Sequence, residues 1–295
     1  MSDLGNVGEA DFKKWCHQAD LAVNVAFVDK TGWDFIVEFP LESSLAIRDI
    51  HTSPIQCKVQ VKSTKSRRRK LSIELSNLKR LATDPKPAFI VFIEYDEDDE
   101  AESAYLVHFD EELVSRVLKR LHEIEQGEEV KKLNETTMTV KYGEQNKMEF
   151  ANGRSLKKEI LSCVSGRLDD YVEKKLMHLK TCGYESGAGK LTFKANCGED
   201  LNSLVEMSLG LRDQVEISNV IGFEERFGIP AKQPFTNEDR GFLSLSVEPD
   251  GECILIFKES KLSPGLSFRA SLYKSPFNPG VPDSYKAIRL KGSFF

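Results

Sequence analysis

The sequence predicts a mixed α/β protein, in which a sheet flanked by helices precedes a β-rich C-terminal region. Residues 32–39 and 55–64 alternate apolar and polar side chains with a period of two, as strands buried on one face do. Residues 88–95 form an apolar run, which is typical of a strand covered on both faces. From residue 190 onward, short alternating segments between Gly, Pro, Asn and Asp turns predict an antiparallel sheet, sandwich or barrel.

Length and composition limit the class of protein. A chain of 295 residues can bury a sizeable core, and we expect two domains, at residues 1–152 and 153–295. The 40% apolar and 30% charged content is typical of a soluble globular protein. No apolar run approaches the ~20 residues of a membrane span, and the N-terminus lacks the regions of a signal peptide. The sequence therefore predicts a cytoplasmic protein without a membrane partner.

Further elements follow from periodicity and from stop signals. An amphipathic helix is predicted at the N-terminus, with Glu9 in its first turn, where the helix dipole favours a carboxylate. The other predicted helices occupy residues 74–82, 110–126 and 155–179. The remaining predicted strands occupy residues 23–28 and 103–109, and a small hairpin is expected from residues 135–142 and 147–150.

The candidate site residues lie on the polar faces of the strands predicted at residues 32–39 and 55–64. In residues 32–39, Asp34 and Glu38 share the face opposite to the aromatic and apolar residues, which include Trp33. In residues 55–64, Gln60 and Lys62 share a face, since residues two apart in a strand point the same way. Carboxylates that meet an amide and a lysine are a combination that suits a metal ion and a phosphate.

These residues resemble the motif of the PD-(D/E)XK, or restriction-endonuclease-like, nuclease superfamily. The resemblance is closer to a bacterial family that has a Gly-Trp-Asp strand and a Gln-Val-Lys-Ser/Thr strand, here GWDFIVE and QVKST. It covers roughly the first 110 residues, in which a helix, the two motif strands and an apolar strand follow in order. It implies a mixed sheet flanked by helices. Gln60 departs from the usual pattern, in which Asp or Glu occupies this position.

The resemblance also implies a set of site residues. Asp34 would be the main ligand of Mg²⁺, with Gln60, the Val61 carbonyl and Glu9 as further oxygen donors, and Lys62 would orient the attacking water. Because Gln60 is neutral, we expect weaker Mg²⁺ binding, with Mn²⁺ as the alternative metal.

Binding of nucleic acid would need a local basic patch, because the net charge of −6 gives no overall attraction to the phosphate backbone. Residues 65–70, which follow the Gln-Val-Lys strand, supply one at a solvated turn. We expect its five basic residues to bind phosphates; they are Lys65, Arg67, Arg68, Arg69 and Lys70. Residues 96–102 are acidic and predict a solvated loop rather than a cation site.

Other candidate sites are weak. The six cysteines contain no CxxC pair and are expected to be buried thiols, and the five histidines form no i, i+4 ligand pair. His51 precedes the Gln-Val-Lys strand and is a weak candidate for a phosphate contact. The segment at residues 183–191 lacks the register of a phosphate-binding loop.

The sequence thus predicts a Mg²⁺-dependent DNA endonuclease. By fold-level analogy it would be an effector of a bacterial restriction or anti-phage system. Such a protein would act as a homodimer or in complex with an ATPase, helicase or sensor subunit. Two alternatives stay open: a restriction-like fold with a decayed site that binds DNA or protein, and a protein-interaction adaptor.

Overall fold

A computed structural model describes residues 3–26, 32–41, 52–127, 132–195, 199–277 and 287–292. The chain divides into two compact units, Met1–Ala188 with Glu225–Ile229, and Gly189–Glu224 with Pro230–Phe295. The first unit therefore continues beyond residue 152, where the sequence predicted a domain boundary. Residues 27 and 28 of the strand predicted at residues 23–28, and His51, lie outside the described residues.

The first unit is built on a five-stranded mixed sheet with the order β1-β2-β3-β5-β6. The only parallel pair among these strands joins β3 to β5, and the other neighbours are antiparallel. The strands are β1 (Ala22–Val25), β2 (Phe35–Glu38), β3 (Gln56–Thr64), β5 (Ala88–Tyr95) and β6 (Ala101–His108). All eight residues of β5 are buried, as the apolar run predicted.

Helices cover both faces of this sheet. One face carries α1 (Leu4–Gln18) and α4 (Gly153–Cys163), which pack in one apolar cluster with Phe35, Val59 and Val61. The opposite face carries α2 (Leu75–Thr83) and α3 (Glu111–Gln126), which pack against Ile90 and Phe92. The first unit also contains α5 (Leu168–Thr181). The mixed α/β class predicted from the sequence is confirmed.

Two details of the first unit differ from the prediction. Residues 135–142 were expected to pair with residues 147–150, but β7 (Thr137–Lys141) pairs with β4 (Lys70–Glu74) in a separate two-stranded sheet. Alternation identified β7 as a strand, but it carried no information on the partner. Trp33 was expected to share a face with Phe35, yet Trp33 packs in the cluster with α2 and Phe35 in the cluster with α1. Trp33 precedes β2, so strand alternation does not govern it.

The second unit contains α6 (Glu199–Ser208) and two antiparallel sheets, apart from the strand residues within 225–229, which belong to the first unit. One sheet has β9 (Val215–Arg226) between its neighbours, and these are β8 (Gly189–Lys194), β10 (Ile229–Pro230) and β11 (Thr236–Leu243). The other has the order β12 (Gly251–Phe257), β13 (Leu266–Lys274), β14 (Ile288–Gly292). The antiparallel arrangement agrees with the prediction, but residues 203–208, predicted as strand, lie in α6. In the described part of the chain, no helix is long and apolar enough to cross a membrane.

Candidate active site

Asp34 is bonded to β3 through both its backbone and its side chain. Its N–H donates to the Val59 carbonyl at 2.9 Å, and its Oδ2 accepts from the Val61 N–H at 2.7 Å. These bonds lie on either side of Gln60 in the chain, beyond the last regular β2–β3 pair, which joins Phe35 to Val59. The Asp34 carboxylate is therefore held against the middle of β3.

Gln60 carries a buried amide on the opposite face of β3 from Val59 and Val61. The residue is 3% exposed and lies opposite Ile90 of β5. Among the residues that the structure describes, no hydrogen-bond partner contacts its Oε1. A buried polar atom left in this state costs about 1–3 kcal/mol. A cation that prefers oxygen ligands would therefore be favoured beside Gln60.

Lys62 shares the face of Gln60, because the two residues are two positions apart in the same strand. It is only partly buried, and it lies opposite Phe92 in the register of β3 and β5. The peptide between them, at Val61, is the one whose N–H the Asp34 carboxylate binds. Asp34, Gln60, Val61 and Lys62 are thus brought together along three consecutive residues of β3.

Glu9 belongs to α1, on the other face of the sheet. Its neighbour Gly8 lies so close to Ser63 that a Cβ at position 8 would collide with the Ser63 Oγ. Glu9 therefore follows a residue of α1 that contacts Ser63, and Ser63 follows Lys62 in β3. The prediction that Glu9 lies in the first helical turn is wrong, because α1 begins at Leu4; the argument from the helix dipole no longer applies.

The donors around β3 fit the chemistry of Mg²⁺. Within the described ranges, no group of three or more His, Cys, Asp or Glu side chains could hold a metal ion. The predicted set contains only two such residues, Asp34 and Glu9, because Gln60 offers an amide oxygen and Val61 a backbone carbonyl. Mg²⁺ prefers oxygen ligands, keeps several waters and is commonly bound through one or two carboxylates. The set is therefore chemically suitable for this ion.

Residues 65–70, here called the basic turn, follow β3 and lead into β4. Three of its five cations contact acidic side chains. Lys65 pairs with Asp99 at 2.9 Å, and Arg69 pairs with Glu144 at 2.6 Å. Arg67 pairs with Glu102 and also with Glu94. The side chains of Arg68 and Lys70 are exposed.

Glu94 anchors the basic turn from inside the fold, and the sequence analysis missed it. The residue is 1% exposed, and its carboxylate accepts hydrogen bonds from Ser103, Tyr105 and Tyr142 at 3.0–3.2 Å. Its fourth partner is Arg67, at 3.2 Å. A buried carboxylate needs such partners, because an unpaired charge in the interior is very costly. The signal in the sequence was an acidic residue inside the apolar run of residues 88–95.

A second polar cluster lies at a cavity of about 380 Å³, which is lined in part by β6, α3 and α5. Here His108 shares a 2.7 Å hydrogen bond with Tyr171, and Lys175 donates to the Lys86 carbonyl at 3.1 Å. Burial lowers the pKa of His108 to about 4. Asp110 opposes this shift and Lys175 adds to it, both with smaller effects. His108 is therefore neutral at physiological pH.

The His108 environment predicts how stability depends on pH. Because the folded-state pKa of about 4 lies below the ordinary value of 6.5, the unfolded chain binds more protons between these values. The stabilisation from neutral His108 is complete above pH 6.5 and is lost as the pH falls towards 4. Because of this loss, we expect the free energy of unfolding to be lower by about 2 kcal/mol at pH 5 than at pH 7. In urea unfolding at both pH values, His108→Gln should lose this part of the pH dependence, whereas the exposed-site control His17→Gln should keep it. An unchanged pH dependence in His108→Gln would contradict the interpretation.

No protein-family model, curated protein or solved structure matches this chain.

Proposed function

We propose that this chain is a metal-dependent nuclease that hydrolyses DNA phosphodiester bonds through the residues around β3. The observation that carries the proposal is the pair of hydrogen bonds from Asp34 on either side of Gln60. They hold a carboxylate at the backbone on either side of Gln60, whose buried amide oxygen has no partner among the described residues and which shares a strand face with Lys62. A carboxylate, a neutral oxygen and an amine are the groups that metal-assisted phosphodiester hydrolysis requires.

The fold supports the more specific proposal of a restriction-endonuclease-like core. The chain runs from α1 through β2 and β3 to the buried strand β5, and α1 and α2 cover opposite faces of the sheet. This is the order that the resemblance to the PD-(D/E)XK superfamily implies. The likeness of motif and the order of elements point to the same residues, which strengthens the proposal.

Each residue has a role in the proposed site. Asp34 and Gln60 would hold Mg²⁺, and the Val61 carbonyl would be a further oxygen donor. Glu9, the other predicted ligand, lies on α1, on the other face of the sheet from Gln60, and is left out of the proposed site. When bound, the ion would supply positive charge to the nonbridging phosphate oxygens. Lys62 would orient the attacking water and stabilise the negative charge that develops on phosphorus-bound oxygens. Because Gln60 brings no charge, Mn²⁺ would be bound more tightly than Mg²⁺.

The partners proposed for the protein follow from the same analogy. The nuclease would be an effector of a bacterial restriction or anti-phage system. It would act on DNA as a homodimer or with an ATPase, helicase or sensor subunit. The β-rich second unit would then recognise the partner or the substrate, or hold the nuclease in check.

A second candidate function is a DNA- or protein-binding module with a decayed site. The observation that favours it is Gln60, because an amide at this position removes one negative charge from the shell of the ion. Such a module would keep the fold and the basic turn but would not cut DNA.

Incubation of the chain with supercoiled plasmid and linear duplex DNA in Mg²⁺, Mn²⁺, Ca²⁺ or EDTA tests both candidates. The nuclease is supported by nicked or linear plasmid that appears with Mg²⁺ or Mn²⁺ and not with EDTA. A shift of the DNA in a native gel without cleavage in any metal would favour the module. If there is neither binding nor cleavage, both proposals are wrong.

A further inference from the structure

The cations of the basic turn lie against an acidic segment of the same unit. Residues 96–102, here called the acidic loop, comprise the connection between β5 and β6 and the first two residues of β6, and six of these seven residues are acidic. Lys65 pairs with the Asp99 carboxylate at 2.9 Å and donates to the Glu97 carbonyl at 3.0 Å. Arg67 pairs with the Glu102 carboxylate. The hydrogen bond with Asp99 is the largest cause of a raised pKa at Lys65.

The contacts of the basic turn fall into two kinds. Glu94, which is buried, binds Arg67 from inside and fixes the course of the chain. The side chains of Asp99 and Glu102 are 32% and 60% exposed, although the Asp99 Oδ1 that contacts Lys65 is itself buried, so both pairs lie at the edge of the fold rather than inside it. Surface ion pairs are weak and are screened by salt. The inner contact therefore holds the turn in place, whereas the outer contacts can be exchanged for other anions.

We infer that the acidic loop covers the phosphate-binding face of the basic turn, so that DNA binds there only by displacing the Asp99 and Glu102 carboxylates. This inference rests on the proposed function, because it takes the basic turn as a surface for DNA. A carboxylate and a phosphate oxygen compete for the same donors on lysine and arginine. The loop thus lowers the affinity of the basic turn for DNA.

The exchange has a consequence for the dependence on salt. A phosphate that binds a free cation releases counterions from the DNA, which makes the affinity fall with salt concentration. Here each phosphate would also release a carboxylate, which would take up a cation from solution. This uptake of cations by the carboxylates offsets part of the release of counterions from the DNA. Removal of the two carboxylates should therefore make the dependence on salt steeper.

The test uses the double variant Asp99→Asn with Glu102→Gln, and a labelled DNA duplex in EDTA as the probe. We expect the affinity at low salt to rise by about 2- to 30-fold, from the usual range for two surface ion pairs. The slope of log affinity against log salt concentration should become more negative by about one to two. The matched control is Asp98→Asn with Glu100→Gln, which removes the same charge from the same loop. No ion pair joins these two acids to the basic turn among the described residues.

The outcomes separate this inference from the proposed function. A larger gain in affinity for the Asp99 and Glu102 variant than for the control supports the inference, even when no metal promotes cleavage. Equal gains in both variants, or no gain in either, overturn it, even when the wild-type chain cuts DNA. A chain that does not bind the duplex in any variant also overturns it, because the basic turn is then no phosphate-binding surface.

Discussion

Substitution of Asp34 or of Lys62 by alanine is expected to slow DNA cleavage in Mg²⁺ or Mn²⁺ by at least about 100-fold. Asp34→Ala removes the carboxylate that the Val61 N–H binds at 2.7 Å, and with it a charged ligand of the proposed ion. Lys62→Ala removes the group that would act on the attacking water and on the charge that develops. Loss of a positioned acid–base group or of an electrostatic stabiliser typically costs about two to four orders of magnitude in rate. The measurement is the initial rate of plasmid nicking.

Two control variants change the same residue types nearby. Glu38→Gln removes a carboxylate from the opposite end of β2, where Glu38 accepts from Gln56 at 3.1 Å. Lys58→Ala removes a lysine from the same face of β3, where Lys58 pairs with Asp84. Both should retain the cleavage rate within a few-fold. If the controls lose as much activity as Asp34→Ala, or if Asp34→Ala still cuts at the wild-type rate, the site around β3 is not catalytic. Circular dichroism of each variant separates loss of activity from loss of fold.

The sequence predicted the strands around the site because alternation is a local signal. In β3, Cys57, Val59 and Val61 all point into the cluster with α1, as the period of two required. The same rule placed Gln60 and Lys62 on the other face. The rule failed at Trp33, because β2 begins only at Phe35. Asp34 precedes the regular pairing of β2 with β3 and instead makes its own hydrogen bonds to the Val59 carbonyl and the Val61 N–H. The departure that misplaced Trp33 is the one that brings Asp34 to Val61.

Contacts between distant parts of the chain could not be predicted. The basic turn was expected to be solvated, since residues 65–70 contain no acid of their own. Its counter-charges come from Glu94 of β5, from the acidic loop and from Glu144, which is 75 positions away from Arg69. Pairing of β4 with β7 brings residues 69 and 142 together, and alternation carries no information on strand partners. A run of charged residues in one segment therefore does not predict which of its side chains form ion pairs and which can bind a ligand.

Gln60 gives the second prediction with a large effect, because stability and metal binding should change in opposite directions. Gln60→Leu replaces the amide with an apolar side chain of similar size, so the unpartnered oxygen disappears. We expect the free energy of unfolding without metal to rise by about 1–3 kcal/mol, which is the cost of such an oxygen. Gln60→Glu instead buries a carboxylate, and its free energy of unfolding in the absence of metal should fall by at least about 1–3 kcal/mol. Urea unfolding in EDTA measures both changes.

Added Mg²⁺ or Mn²⁺ should reverse this order. A ligand that binds only the folded state adds about 2.7 kcal/mol of stability at 100 times its dissociation constant. Because a carboxylate binds these ions more tightly than an amide, Gln60→Glu should gain the most stability from metal and Gln60→Leu the least. The wild-type chain should lie between them, with a larger response to Mn²⁺ than to Mg²⁺. If Gln60→Leu is destabilised in EDTA and all three chains respond equally to metal, the amide packs as an ordinary core residue. In that case the ion has no place beside Gln60, and the decayed module becomes the better account of β3.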